Sequence, residues 1–230
     1  YILTSFGPKG SFIVNCAQSP SSLSFATIKY FFISNFFQKY GKRIAFDSKD
    51  QFCVYFYKKK MLIKTVRGYT PKYGNHCFFA ENATFVGDVV MGDNCSVWFQ
   101  AVIRGDVNSI EIGNEVNIQD GAILHGTYEK AATKIGNQVS IGHNAIVHGC
   151  TLEDHVLVGM GSIIMDNCGV GEHSIIGAGA VLPQNTLVPP GSVYAGVPAK
   201  KIKSIDAKLQ KGEVERIAKN YLLYASWFKA

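Results

Sequence analysis

The chain has 230 residues, 47% hydrophobic and 17% charged, enough apolar material for a sizeable core and too much for a disordered or collagen-like chain. Its formal charge of +6 belongs to residues 1–60, which hold nine Lys and Arg against two Asp and Glu; the totals of 23 and 17 leave fourteen against fifteen for 61–230, so the body of the chain has no electrostatic footprint for nucleic acid. Apolar stretches such as 31–37, interrupted by Ser34 and Asn35, stop well short of the roughly 20 residues that span a bilayer, and six cysteines without a Cys-x-x-Cys pair point to a reducing, cytoplasmic setting.

Residues 1–60 read unlike the rest, with ten of the fifteen Phe, no Met and no sustained helical or strand period. Met61 is the first methionine, it follows Lys58-Lys59-Lys60, and the regular pattern begins soon after it. The expectation is therefore a natural start at Met61, with 1–60 an N-terminal segment that is disordered or not part of the natural protein; a targeting segment is the rival, without a convincing cleavage site.

From residue 79 an aliphatic or aromatic side chain recurs at every sixth position: Phe79, Phe85, Met91, Val97 and Ile103; Ile112, Ile118 and Leu124; Ile135, Ile141 and Val147; then, after a one-residue deletion, Leu152 through Val188 to Tyr194. Four places further on stands a small or β-branched residue almost every time, and Gly often follows the aliphatic, as at Gly92, Gly113 and Gly136. Neither a 3.6-residue helix nor an alternating strand repeats at six. A triangular prism of short parallel strands does, one hexad per face, with turns that demand Gly or Asn. The large residue fills the interior and the small one fits near the corner, which makes Cys95 and Cys168 small core residues. His76, His155 and His173 read as surface or corner residues. Beyond 205, Val214, Ile217, Ala218, Tyr221, Ala225 and Phe228 form a helical stripe, weakened in its first half by Gly212. The domains expected are 1–60, a prism at 61–205 and a helix at 206–230.

The period breaks where polar chemistry appears. Eighteen residues make one coil, and Leu124 to Ile135 is one hexad plus five residues, an excursion at Gly126-Thr127-Tyr128-Glu129-Lys130. Subtracting those five from the 23 between His125 and His148 leaves eighteen, so the two stack on one face. Ile103 to Ile112 carries three extra residues, which puts Arg104 in the same column. His143 lies on the preceding face, above Asp120. Three imidazoles divided in this way cannot easily meet at one metal within a monomer; they can if prisms pack around a threefold axis, His125 and His148 of one subunit facing His143 of the next, with an open fourth position of the catalytic kind.

The hexads make the chain similar to the hexapeptide-repeat family, which implies an all-β solenoid, a left-handed parallel β-helix with a C-terminal α-helix packed alongside. Arg104-Gly105-Asp106, Asn117-Ile118-Gln119-Asp120, His125 and Gly142-His143-x-Ala145-x-x-His148-Gly149 resemble the γ-class carbonic anhydrases, over about residues 61–205. The resemblance implies a homotrimer that hydrates carbon dioxide reversibly to bicarbonate by a metal-bound hydroxide. It assigns His125, His143 and His148 to zinc, with iron or cobalt as substitutes. It assigns Arg104 and Asp106 to the subunit interface, Gln119 and Asn117 to the bound water or bicarbonate, and Tyr194 to the lining of the site. A structural ion pair is an equal reading of Arg104 and Asp106. One departure is Val107, where the family's enzymes carry an acidic residue that exports protons; the loop after His125 offers only Glu129, so proton export is expected to depend on buffer. The rivals are a hexapeptide acyltransferase using acyl-CoA, similar in its Ala195-Gly196-Val197-Pro198-Ala199-Lys200 tail, a noncatalytic metal-binding trimeric scaffold, and a metal-assisted thioesterase.

Overall fold

A computed structural model describes residues 2–7, 11–16, 44–46, 52–54 and 61–228, and the chain divides into two compact units, 1–59 and 60–230. In the first unit Ile2–Gly7 pairs with Ser11–Cys16, which pairs with Phe52–Val54, which pairs with Ile44–Phe46, all antiparallel. Runs of three to six residues hold too few alternations to register as a period, so these strands are not legible from pattern alone. The expectations placed on residues 1–60 fall for the most part outside the described residues.

The second unit is a left-handed parallel β-helix of about seven coils. Most rungs are two-residue strands, and three faces close around one core. Its interior columns are those of the six-residue period. Phe85, Ile103, Leu124, Val147, Ile164 and Leu182 line one face, and Met91, Ile112, Ile135, Leu152, Val170 and Val188 the second. Phe79, Val97, Ile118, Ile141, Val158, Ile176 and Tyr194 line the third. All are buried in one continuous cluster except Phe79 and Tyr194, which close its two ends half-buried. The first two faces are joined at one corner by the long strands Thr84–Met91 and Val102–Ile112, which shift register between Gly105 and Ile110. Cys95 and Cys168 lie in the core, and a hydrogen bond with the Cys77 thiol together with burial keeps Cys95 firmly protonated.

A second corner shows how the repeat pays for its turns. Asn75, Asp93, Asn114 and Asn137 each offer a backbone N–H to the side-chain oxygen of the residue one coil on, at 2.6, 2.8, 2.9 and 2.7 Å, the last acceptor being Asp154. This ladder needs the glycine before each rung: a Cβ on Gly113 would fall 2.8 Å from Asn137 Oδ1 and 2.8 Å from the Gly136 backbone. The next residue in each turn adopts the left-handed conformation, and Glu115, Gln138, His155 and His173 accept it as well as Asn94 does. His155 and His173 are thus corner residues, their rings stacked 4.6 Å apart.

The faces differ on the outside. Val102, Ile123, Ile146, Ile163 and Val181 run in register down the outside of the first face, half-buried or exposed, with Ile123 at 40%. The second face presents Val90, Glu111, Lys134, Thr151 and Leu187 to solvent. The third is covered in part by the C-terminal helix. After the antiparallel pair Ser192–Gly196 and Ala199–Ser204, Asp206 caps a first turn by accepting from the Leu209 amide at 2.8 Å. Residues Gln210–Glu215 then wind as a π-helix around Gly212, and Arg216–Trp227 is α-helical. Val214, Ala218 and Ala225 are buried, and Tyr221 and Phe228 close on Trp98 at 5.2 and 5.6 Å between ring centres. Among the described residues no helix is long and apolar enough to cross a membrane.

Candidate metal centre

Arg104, His125 and His148 lie side by side on the first face, as the stacking arithmetic requires, because Ile103 pairs with Leu124 and His125 with His148. Their side chains form a hydrogen-bonded series. Arg104 Nη1 donates to Asp106 Oδ2 at 2.5 Å, and Asp106 Oδ1 lies 3.0 Å from His125 Nε2. His125 Nδ1 faces His148 Nε2 at 3.1 Å, and His148 Nδ1 meets Asp166 Oδ1 at 2.5 Å. Thr127 Oγ1 closes the series on Asp166 Oδ2 at 2.5 Å.

The carboxylates decide where the protons sit. Burial raises the pKa of Asp106, but hydrogen bonds from His125 and Arg104 outweigh it and hold the group below the ordinary range. Asp166 follows the same balance, burial being outweighed by Thr127 and His148. Burial lowers the pKa of His125, favouring its neutral ring. A carboxylate has no hydrogen to give, so His125 donates from Nε2 and His148 from Nδ1. The nitrogens left over, His125 Nδ1 and His148 Nε2, face each other at 3.1 Å, and when both rings are neutral each presents a lone pair to the other.

That arrangement fits a cation. Two nitrogens bound tetrahedrally to zinc at about 2.0–2.1 Å stand roughly 3.3 Å apart, and metal-binding imidazoles commonly give their other N–H to a carboxylate. Among the described residues of one chain, no three His, Cys, Asp or Glu side chains are placed to hold a metal. His143 is on the third face, its Nδ1 2.9 Å from Asp120 Oδ2, so this imidazole too has its outer nitrogen claimed by a carboxylate. Its Nε2 lies 3.4 Å from the Tyr221 hydroxyl, a phenol that burial and the Asp120 charge push up to about 12.

Gln119 and Asn117 are on that same third face and buried. Gln119 Nε2 donates to Asn117 Oδ1 at 3.0 Å, and Asn117 Nδ2 to Ser140 Oγ at 2.7 Å. One chain therefore gathers the predicted residues into two groups, Arg104, Asp106, His125 and His148 on one face and Asn117, Gln119 and His143 on another. Tyr194 joins neither. It continues the interior column beyond Ile176 and packs against the core.

Sequence reasoning passed over Asp166, Thr127 and Tyr221. Counting seventeen residues on from His148, as the one-residue deletion demands, reaches Met165, with Asp166 beside it in the turn.

The family model for bacterial transferase hexapeptide repeats matches residues 149–184. A carbonic anhydrase of Geobacillus kaustophilus is 39% identical over 169 residues, 74% of this chain and 92% of that protein. The chain belongs to the γ-class carbonic anhydrase-like group of hexapeptide-repeat proteins. The mitochondrial γ carbonic anhydrase 2 of Arabidopsis thaliana is also 39% identical over 66% of this chain, which spans 56% of that longer relative. A solved structure described as a putative acetyltransferase of Bacillus cereus, 36% identical, superposes with a TM-score of 0.72 over 74% of this chain and 98% of that one. Within this family His125, His143 and His148 are the histidines that fall in the quoted motifs, and His76, His155 and His173 fall outside them.

Proposed function

We propose that the chain assembles as a homotrimer and catalyses the metal-dependent, reversible hydration of carbon dioxide to bicarbonate. His125 and His148 of one subunit, with His143 of the partner subunit, would hold zinc, or iron or cobalt in its place. The observation that carries this reading is the pair of imidazole nitrogens facing each other at 3.1 Å, each with its proton drawn to the far side by a carboxylate. The relatives named as carbonic anhydrases support the reaction. When bound, a three-histidine zinc supplies Lewis acidity that brings the pKa of water down to about 7, the value known from carbonic anhydrase.

The remaining work falls to the chain's own groups. Asp106 keeps the His125 proton on Nε2, and Asp166 keeps the His148 proton on Nδ1. The apolar column Val102–Ile123–Ile146–Ile163–Val181 gives the partner a dry surface to cover, excluding water around the pair. Asn117 and Gln119 travel with His143 and reach the site from the partner's third face. Being neutral, the Gln119 amide can hydrogen-bond a water or bicarbonate without a charge that opposes the anion. Arg104 ties Asp106 in place while its half-exposed guanidinium faces the interface. With Val107 beside Asp106 and Glu129 exposed on the excursion, protons leave through buffer. Buried Cys95, Cys150 and Cys168 suit a reducing compartment such as the cytoplasm.

The test is metal content per subunit on protein purified anaerobically, followed by stopped-flow hydration on the same sample. One metal per subunit, with both metal and hydration lost in His148→Ala and equally in His143→Ala, is the expected result. A His143→Ala protein that keeps a full complement of metal would overturn the shared centre. Metal without hydration would favour a scaffold or a thioesterase. Absence of metal would favour an acyl-CoA-dependent acyltransferase, the reading suggested by the description of the Bacillus cereus structure.

A further inference from the structure

The five-residue excursion after His125 is tied down close to the imidazole pair. Thr127 forms an antiparallel bridge with Ala131, its amide donating to the Ala131 carbonyl at 3.0 Å. Its own carbonyl accepts from Asn108 Nδ2 at 3.2 Å and from the amides of Lys130 and Ala131 at 3.1 and 3.2 Å. A residue fixed so thoroughly through its backbone delivers its hydroxyl to one place, Asp166 Oδ2.

Asp166 comes from a different coil, 39 residues on. Its carboxyl group is 13% exposed, and each of its oxygens has one donor, Thr127 on Oδ2 and His148 on Oδ1. With both oxygens held, the group cannot rotate away from His148. Gly149, which follows the histidine in left-handed conformation at φ 54°, makes room for this approach: a Cβ there would fall 2.6 Å from the Ala131 Cβ.

We propose that Asp166, clamped by Thr127 from the excursion, is a positioning residue that fixes His148 as its Nδ1–H tautomer and aims Nε2 at the shared centre. The excursion is then part of the orienting apparatus rather than a lid. This rests on the metal-site reading above, and the test separates the two.

The tautomer of His148 is read in the ¹⁵N-labelled, metal-free full chain from long-range imidazole ¹H–¹⁵N correlations. Zinc affinity is read by competition with a chromophoric chelator. The wild type is expected to show a protonated Nδ1. Asp166→Asn offers an amide that can donate to Nδ1, so the proton should move to Nε2 and zinc affinity should fall about 10–100-fold. Thr127→Val removes one of the carboxylate's two partners and should cost several-fold in affinity, with Thr127→Ser restoring it. A folded Asp166→Asn protein with the wild-type tautomer and zinc affinity overturns the proposal. If that variant does not fold, the threonine pair decides: loss rescued by serine supports the clamp, and an unchanged affinity in Thr127→Val overturns it. Should the wild type bind no zinc, the metal reading fails, while the tautomers of the wild type, Asp166→Asn and Thr127→Val still decide for or against the clamp.

Discussion

The face that carries His125 and His148 and the face that carries His143 are built from the same hexad, yet they are finished differently outside. On the His143 face, Phe78, Trp98, Tyr221, Ala225 and Phe228 bring the chain's own helix down as cover. On the other, Val102, Ile123, Ile146, Ile163 and Val181 stand in a column that no helix among the described residues covers. A sheet face that is apolar outside as well as inside asks for a second layer. The covered face finds that layer in the chain's own helix, and the homotrimer proposed above would supply it to the histidine-pair face from another copy.

The largest effect should come from spoiling the uncovered face. Ile146→Asp places a carboxylate in the middle of the apolar column, and burying it unpaired costs several kcal/mol at each interface. Sedimentation velocity is expected to show a trimer for the wild type and a monomer for the variant, with metal lost along with assembly. The same charge at Leu187, 75% exposed on the solvent face, should leave the trimer intact. A trimeric Ile146→Asp protein would break the contrast between the faces.

Spoiling the covered face should act locally. Trp98 touches Phe78, Tyr221 and Phe228 at ring distances of 5.0–5.6 Å and donates from Nε1 to Ser96 Oγ at 3.0 Å. Trp98→Ala is expected to cost about 3–5 kcal/mol of packing. Hydrogen exchange should show it as faster exchange of amides 216–227, while the prism amides of Val147 and Ile164 keep their protection. Loss of protection through the prism as well would mean that helix and prism unfold as one.

Much of this contrast could be read from the sequence, and the reason is the hexad. Because every interior position is set by a period of six, the register of Arg104, His125 and His148 follows by counting once the insertions at 108 and 126 are removed, and so does the placing of His143 on another face. What the period could not carry lies off the lattice. Asp166 sits in a turn one position past the column, and Thr127 reaches it from the excursion, which has no period at all. Tyr221 arrives on a helix whose rotation depends on aromatic packing against Trp98. Tyr194 shows the converse, a residue in perfect hexad register whose side chain packs against the core of its own chain. The left-handed turn positions were legible as turns, but Glu115 and Gln138 occupy them where Gly or Asn was expected, since a parallel neighbour on each side fixes the backbone strongly enough to override local preference.

The smallest effect tests what the two faces share, the corner ladder that closes every coil. Asn137 accepts the Asn114 amide at 2.9 Å and passes its own amide to Asp154 at 2.7 Å. Asn137→Ala deletes the first of these, together with the longer exposed side-chain contacts from Asn114 Nδ2 and to the Asp154 carboxylate at 3.2–3.3 Å, and keeps the second, because the second uses the backbone. The rung is exposed to solvent, so water can take over the orphaned Asn114 N–H, and the cost should be near 1 kcal/mol, the usual net worth of one hydrogen bond. In calorimetry that corresponds to about 2–4 °C for a chain of this size. The Gly113→Ala variant should cost more, since its Cβ meets the Gly136 backbone as well as the Asn137 side chain. Removing Asn137 should relieve only the side-chain part, so the double variant should be less destabilised than the sum of the two singles. Strict additivity would show that the glycine is required by the backbone alone, and that the ladder fills a space the coil would leave open in any case.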